Sequence, residues 1–237
     1  MPERALHRVT IPLFVALLAN ACASGGGQMP VAAGLSRDGP YAYKSKRNLL
    51  TNHMPKNADG TINAVIEIPA GTSEKWEVNE DGTRLVRDFT GENPRVIDYL
   101  PYPGNYGLIP RTLLSIEQGG DGGALDVMVI GPAVPRGTTV RARAIGVIRV
   151  VDRMEQDDKV LAVMEGPTLK DVFDIESLRR RYPGSDEILS LWWANAHGKR
   201  SKVNLIGTGS RGQAVSVIDY AAESWKNEQR KAREAQD

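Results

Sequence analysis

Residues 138–151 read TTVRARAIGVIRVV, with apolar residues and arginines alternating along one stretch. That period of two is the mark of a long strand with one wet face, and no other segment constrains the fold as much. Shorter strand-like runs surround it: 64–68 (AVIEI), 76–79, 84–89, 125–130 (LDVMVI) and 159–163, the second and third separated by an Asp81-Gly82 turn. Helical patterns come late, at 175–181, at 186–196 and from about 213 to the C-terminus. In the last of these Ala214, Val217, Ala221 and Trp225 recur at helical spacing, and the closing run KNEQRKAREAQD reads as a solvated helix end. Strands followed by helices imply an α+β fold, with a small closed OB-like β-barrel as the core and helices at the C-terminal end. No internal repeat is evident.

Charge narrows the function classes. Thirty Lys and Arg nearly balance 29 Asp and Glu in 237 residues, so no global field favours nucleic acid or an anionic membrane. Any polyanion must be held by a local cluster, and an oligonucleotide-binding barrel is the weakest reading because clustered exposed aromatics are missing as well. The single cysteine excludes an internal disulfide framework and a Cys-rich zinc site.

Residues 1–22 carry a basic start (Arg4, Arg8), a short apolar run at 11–18 (IPLFVALL) and a small-residue stretch ending at Cys22, the three-part pattern of a secretory signal. A buried first helix or strand is the competing reading, opposed by Pro12 and the Gly-Gly-Gly that follows. The position of Cys22 resembles the lipobox of bacterial lipoproteins, with Leu18 and Ala19 each one place early; cleavage without lipid is the alternative. Lipidation would confine membrane contact to this anchor and place the protein outside the cytoplasm. Residues 23–61, rich in Gly, Pro, Ser and Lys, read as a flexible tether, which leaves 62–237 as the folded domain.

Carboxylates that hold hard divalent cations and Lys, Arg and Tyr donors that hold phosphate occur here on separate strands and loops. Their order is informative. Val65-Ile66-Glu67-Ile68-Pro69-Ala70 precedes Lys75-Trp76-Glu77, then Leu85-Val86-Arg87-Asp88 and Tyr102-Pro103-Gly104-Asn105-Tyr106-Gly107. Asp121-Gly122-Gly123-Ala124-Leu125-Asp126 follows, and Asp152, Asp157 and Lys159 complete the series. In these blocks, over roughly residues 64–163, the chain resembles the family I soluble inorganic pyrophosphatases. The resemblance implies metal binding by Asp121, Asp126, Asp152 and Asp157. It implies support from Glu67 and Glu77, a phosphate grip by Lys75, Arg87, Tyr106 and Lys159, and a supporting place for Tyr102. It also implies several Mg²⁺ ions, or Mn²⁺, as cofactors, pyrophosphate or phosphate as ligand, and a homo-oligomer. Against these roles, Glu67 and Arg143 could pair across strands, Tyr102 could be a core aromatic and Asp121 a turn residue between glycines.

Two departures stand out. Where the family's aspartate motif has its middle Asp, taken as the general base, this chain has Gly123, and the next proline is Ala124. The family's late Tyr-Lys pair is replaced by Trp192-Trp193-Ala194-Asn195-Ala196-His197-Gly198-Lys199, in which Lys199 or His197 could supply the cation and the tryptophans read as helix core. Glu117, or Asp98 just ahead of the tyrosine block, could lean into the site in place of the lost acid. Two readings follow: a Mg-dependent pyrophosphate hydrolase, slowed by Gly123, and an inactive metal- and phosphate-binding lipoprotein on the same scaffold.

Overall fold

The computed structural model describes residues 30–152, 155–196, 198 and 203–235. In chain order the strands are β1 (Leu35–Arg37), β2 (Ala42–Ser45), β3 (Ile62–Ile68), β4 (Trp76–Val78), β5 (Arg84–Arg87), β6 (Phe89–Thr90), β7 (Asn93–Pro94), β8 (Asn105–Leu108) and β9 (Asp126–Ile130). They continue with β10 (Thr139–Asp152), β11 (Glu155–Gln156) and β12 (Lys159–Met164). After α1 (Ile175–Arg181) and α2 (Ser185–Asn195) come β13 (Val203–Gly209) and the long α3 (Arg211–Glu234).

The alternating segment is β10, and it organises the rest. One edge pairs antiparallel with β12, while the other pairs first with β3 (Thr139↔Val65) and then with β13 (Val147↔Gly209). From β12 the ladder runs through a parallel pairing to β9, then antiparallel to β8, β3 and back to β10. A closed five-stranded barrel results, so none of its strands leaves an open ladder edge over the paired stretch. Gly107 makes one of these contacts possible: a Cβ there would lie 1.9 Å from the Val65 carbonyl oxygen, across the β3–β8 pair.

Burial follows the alternation. Val140, Ala142, Ala144 and Val147 turn inward with Ile62, Ala64, Ile66 and Val127, and α3 closes over them with Ala214, Ile218 and Ala221. Each large apolar side chain so buried contributes about 1.5–3 kcal/mol. Ser210 starts α3 with a capping box to Gln213, and Asp174 does the same for α1 with Ser177, so the first free N–H groups of both helices are bonded. A second cluster gathers Tyr102, Tyr106, Met128, Ile148 and Leu161 against Leu189, Trp192 and Trp193 of α2.

The structure corrects one boundary. Residues 31–61 are part of the fold: β2 pairs with β5 in the four-stranded sheet β1-β2-β5-β4, and Tyr43 and Leu49 are buried with Trp76, Leu85 and Leu108. Their apolar anchors are too widely spaced to give a periodic signal, yet Val31, Leu35 and Leu50 pack against the same cluster. The signal segment, Cys22 and the first residues of the expected tether lie outside the described residues.

Candidate active site

One cleft of about 680 Å³ opens at the side of the barrel. Its walls include Glu67 from β3, Lys75 and Glu77 flanking the start of β4, Tyr106 from β8 and Asp126 from β9, together with Asp152 at the end of β10, and Asp157 and Lys159 at the start of β12. Asp121 and Gly123 line it from the loop before β9, and Tyr102 and Trp193 from its floor. Residues scattered over more than ninety positions of sequence therefore converge, because the barrel brings the ends of β3, β8, β9, β10 and β12 together.

Asp126 is the hub. It accepts hydrogen bonds from the Tyr106 hydroxyl and the Lys159 ammonium, and Lys159 also binds Asp157. Burial pulls the Lys159 ammonium towards neutrality, but Asp126 and Asp157 outweigh it and hold its pKa above the ordinary lysine value. Burial pushes Asp157 up to about 6, opposed by Lys159 and reinforced by Asp126. Lys75, 2.7 Å from Glu77, is treated the same way: burial lowers it, and Tyr102, Glu77 and Asp126 hold it above the usual range.

Glu67 is 5% exposed and accepts the Val78 N–H at 2.6 Å. Burial pushes its carboxyl up to about 8, with the Val78 bond and Lys75 acting the other way. Its folded pKa thus lies above its unfolded value near 4.5. Between these limits the folded state retains a proton that the unfolded chain has lost, so the stability that Glu67 contributes to the metal-free protein is fully present below about 4.5 and is lost as pH rises towards 8. Asp157 adds the same sign, but only up to about 6. Thermal melts in chelator should therefore fall between pH 6 and 8 for the natural chain and stay nearly level for Glu67→Gln. Equal slopes in both proteins would remove Glu67 as the cause. The slope can reach about 1.4 kcal/mol per pH unit for one group.

Among the described residues, no three acidic, His or Cys side chains lie close enough together to hold an ion as they stand. The reason is visible at Asp126 and Asp157, whose charges are turned towards Lys159. The donor set nonetheless fits a hard divalent cation. Eight carboxyl groups (Glu67, Glu77, Glu80, Asp121, Asp126, Asp152, Asp157 and Glu228) line the cleft against four cationic side chains (Lys75, Arg95, Arg111 and Lys159), and burial raises the pKa of two of the carboxyls. A cation would offset that burial cost.

Blocks in the chain order of a pyrophosphatase thus meet in one acidic, lysine-studded cleft of a closed barrel. A sequence model of the inorganic pyrophosphatase family matches residues 64–226. The chain belongs to the inorganic pyrophosphatase family. The pyrophosphatase of Gluconobacter oxydans is 36% identical over 127 residues, covering 52% of this chain and 68% of the relative. That of Caulobacter vibrioides is 40% identical over 105 residues, covering 43% and 53%. Among solved structures, the Thermus thermophilus pyrophosphatase superposes with a TM-score of 0.65 at 25% identity, covering 76% of this chain and 99% of that one. The apo vacuolar soluble pyrophosphatase of Trypanosoma cruzi shares the fold at 18% identity, with a TM-score of 0.76 and coverage of 96% and 71%.

Not every residue expected at a pyrophosphatase site reaches the cleft. Arg87 is absent from its lining; the side chain is 7% exposed, lies 3.8 Å from Glu74 and sits over the Trp76 ring. Arg95, which no motif singled out, does line the cleft. Glu67 does not pair with Arg143, whose guanidinium binds Glu165 and the Lys170 and Val172 carbonyls. Tyr102 is both a core aromatic, stacked on Tyr106 and packed against Trp192, and a lining residue. Asp121 is likewise a turn aspartate, accepting the Gly123 N–H at 2.8 Å, that also faces the cleft.

Neither Glu117 nor Asp98 lines the cleft, so neither fills the place left by Gly123. Trp192 and Trp193 are buried, as helix core; Trp193 also floors the cleft, and its indole N–H is buried without a partner. His197 and Lys199 lie outside the described residues.

Proposed function

We propose that this chain hydrolyses inorganic pyrophosphate to two phosphates with divalent metal ions, Mg²⁺ or Mn²⁺, held by Asp121, Asp126, Asp152 and Asp157. The observation that carries it is the Asp126–Lys159–Asp157 cluster beside Tyr106 in the acidic cleft. When bound, the ions would offset the charge of pyrophosphate and bring the pKa of a water towards neutrality. The protein's own part is positioning and charge. Lys75, over the Tyr106 ring, and Lys159, on the Asp126 carboxylate that Tyr106 also binds, bring persistent positive charge to the cleft, where phosphate oxygens would lie. The Tyr106 hydroxyl, kept protonated because burial raises its pKa well above 10, donates a hydrogen bond and fixes the Asp126 carboxylate. Tyr102, Tyr106 and Trp193 form a buried apolar wall on one side of the cleft. Glu67 and Glu77 act from behind, on Lys75 and on bound water. With Gly123 offering no side chain to take the proton of the attacking water, turnover is expected to be slow.

Phosphate release from pyrophosphate by purified protein with Mg²⁺ or Mn²⁺, beside an Asp126 variant, tests this. Two equally silent proteins, with metal still bound by the natural chain, would leave the second reading: a binding lipoprotein without turnover, favoured by Gly123. Export and lipid on Cys22 belong to the same proposal and are supported by the order of residues 1–22, and self-association by the family resemblance. The intact mass of the mature protein reads the first two and sedimentation the third.

A further inference from the structure

The cleft is longer than a diphosphate needs. Its inner end is where Tyr106 and Lys159 meet Asp126. From there the lining continues along β8 through Leu108 and on to Arg111 and Leu113, with Leu50 and Trp225 of α3 across from them. Tyr106 to Arg111 is up to roughly 16 Å of extended chain. The volume of about 680 Å³ lies within the roughly 300–1,000 Å³ of clefts that enclose organic ligands. Inorganic pyrophosphate, two tetrahedra sharing an oxygen, fills the inner end only.

Arg111 shapes the outer end. Among the described residues it is the one non-glycine with a positive φ, 53°. Such a backbone persists only where its surroundings over-determine it, and ligand clamps are a common setting. Its N–H donates to the Leu50 carbonyl at 2.8 Å and its Nε to the Thr51 carbonyl at 2.8 Å, while Nη1 lies 3.2 Å from Met54 Sδ. The guanidinium is thereby held with its carbon 5.6 Å from the centre of the Trp225 ring. A guanidinium over an indole makes a planar, polarisable surface, on which a flat heteroaromatic ring packs well. Leu50 and Leu113 add apolar contact, and the exposed Glu228 and Gln229 supply an acceptor and a donor for ring substituents. A hydrocarbon chain would leave those polar groups and the Arg111 charge unmatched.

We propose that the outer end of the cleft is a nucleoside subsite, so that the cleft takes nucleoside diphosphates as well as inorganic pyrophosphate. The proposal rests on the pyrophosphatase reading for the inner end. The base lies against Trp225 and Arg111, and the ribose spans the stretch beside Leu108.

The test is calorimetric, on the full chain with Mg²⁺. Three ligands that resist cleavage share one phosphonate end: methyl methylenediphosphonate, adenosine α,β-methylene diphosphate and geranyl methylenediphosphonate. The natural chain should bind the adenosine compound on the order of 10-fold more tightly than the methyl compound. Trp225→Ala should bring that ratio to within about twofold, Trp225→Phe should keep part of it, and Arg111→Lys should lower it. Reading a ratio cancels any general damage to the inner end, and melting temperatures show that each variant is folded. Where Trp225→Ala does not fold, Trp225→Phe and Arg111→Lys carry the same comparison. Equal affinities for the adenosine and methyl compounds, or an adenosine advantage that survives these substitutions, overturn the subsite and leave the pyrophosphatase reading standing. Tighter binding of the geranyl compound than of the adenosine one does the same. No binding of any of the three, nor of methylene diphosphonate itself, overturns both.

Discussion

Asp126→Asn is expected to lower kcat/KM for pyrophosphate on the order of 10³-fold. The substitution keeps the shape of the side chain and removes its charge. Asp126 accepts from Tyr106 and Lys159 at once, so the loss reaches three parts of the cleft. Lys159 would keep a single counter-charge, Asp157, and its buried ammonium would lose much of what holds it protonated. Tyr106 would lose its charged acceptor, and the proposed cation site one of its four aspartates. Phosphate release against Mg²⁺ concentration reads the effect, with circular dichroism to show that the fold survives. A folded variant retaining more than about a tenth of the natural activity would exclude Asp126 from the machinery.

Gly123→Asp should act in the other direction, raising kcat by roughly 10²–10⁴-fold if an aspartate there takes up the work of a general base. The backbone allows it. Gly122, at φ +82, occupies the left-handed region that favours glycine, whereas no such conformation is recorded for Gly123. A Cβ on Gly123 would meet Asp121 Oδ1 at 3.2 Å, a crowding that a small rotation of an exposed side chain relieves. The two carboxylates would stand close together, so the gain should appear at Mg²⁺ concentrations high enough to hold both charges. A folded, metal-binding Gly123→Asp protein no faster than the natural chain would mean that Gly123 is not what limits turnover.

The barrel was legible in the sequence because its strands are long or strongly apolar. The arginine alternation marked β10, and the AVIEI and LDVMVI runs marked β3 and β9. β8 escaped because Pro103-Gly104 reads as a turn and Gly107 supplies no side chain to a pattern, although its bareness is what lets the strand approach Val65. β13 escaped for a related reason, with Gly207 and Gly209 breaking the alternation. Of the site, the aspartates and lysines were readable from order and spacing, since their strands bring them to one side. Arg87 is not among the residues lining the cleft, and a signal for its burial was at hand. Residues two apart on a strand share a face, and Leu85 is a core residue, so Arg87 had to point inward with it. Arg95 gave no signal at all, because its place depends on a hairpin and on one hydrogen bond to Lys75.

The pairing of Thr139 with Val65 that closes the barrel has a kinetic side. The β3–β10 and β9–β12 ladders join segments far apart in the chain, and such contacts form only after a large loss of loop entropy. Glu67, Asp126, Asp152 and Lys159 each sit on a strand of that late-closing ring, so a half-formed barrel has none of the cleft. Refolding from denaturant should therefore be slow for a chain of this size. Ligand binding should return in the same phase as the barrel's amide protection, with no earlier species that binds.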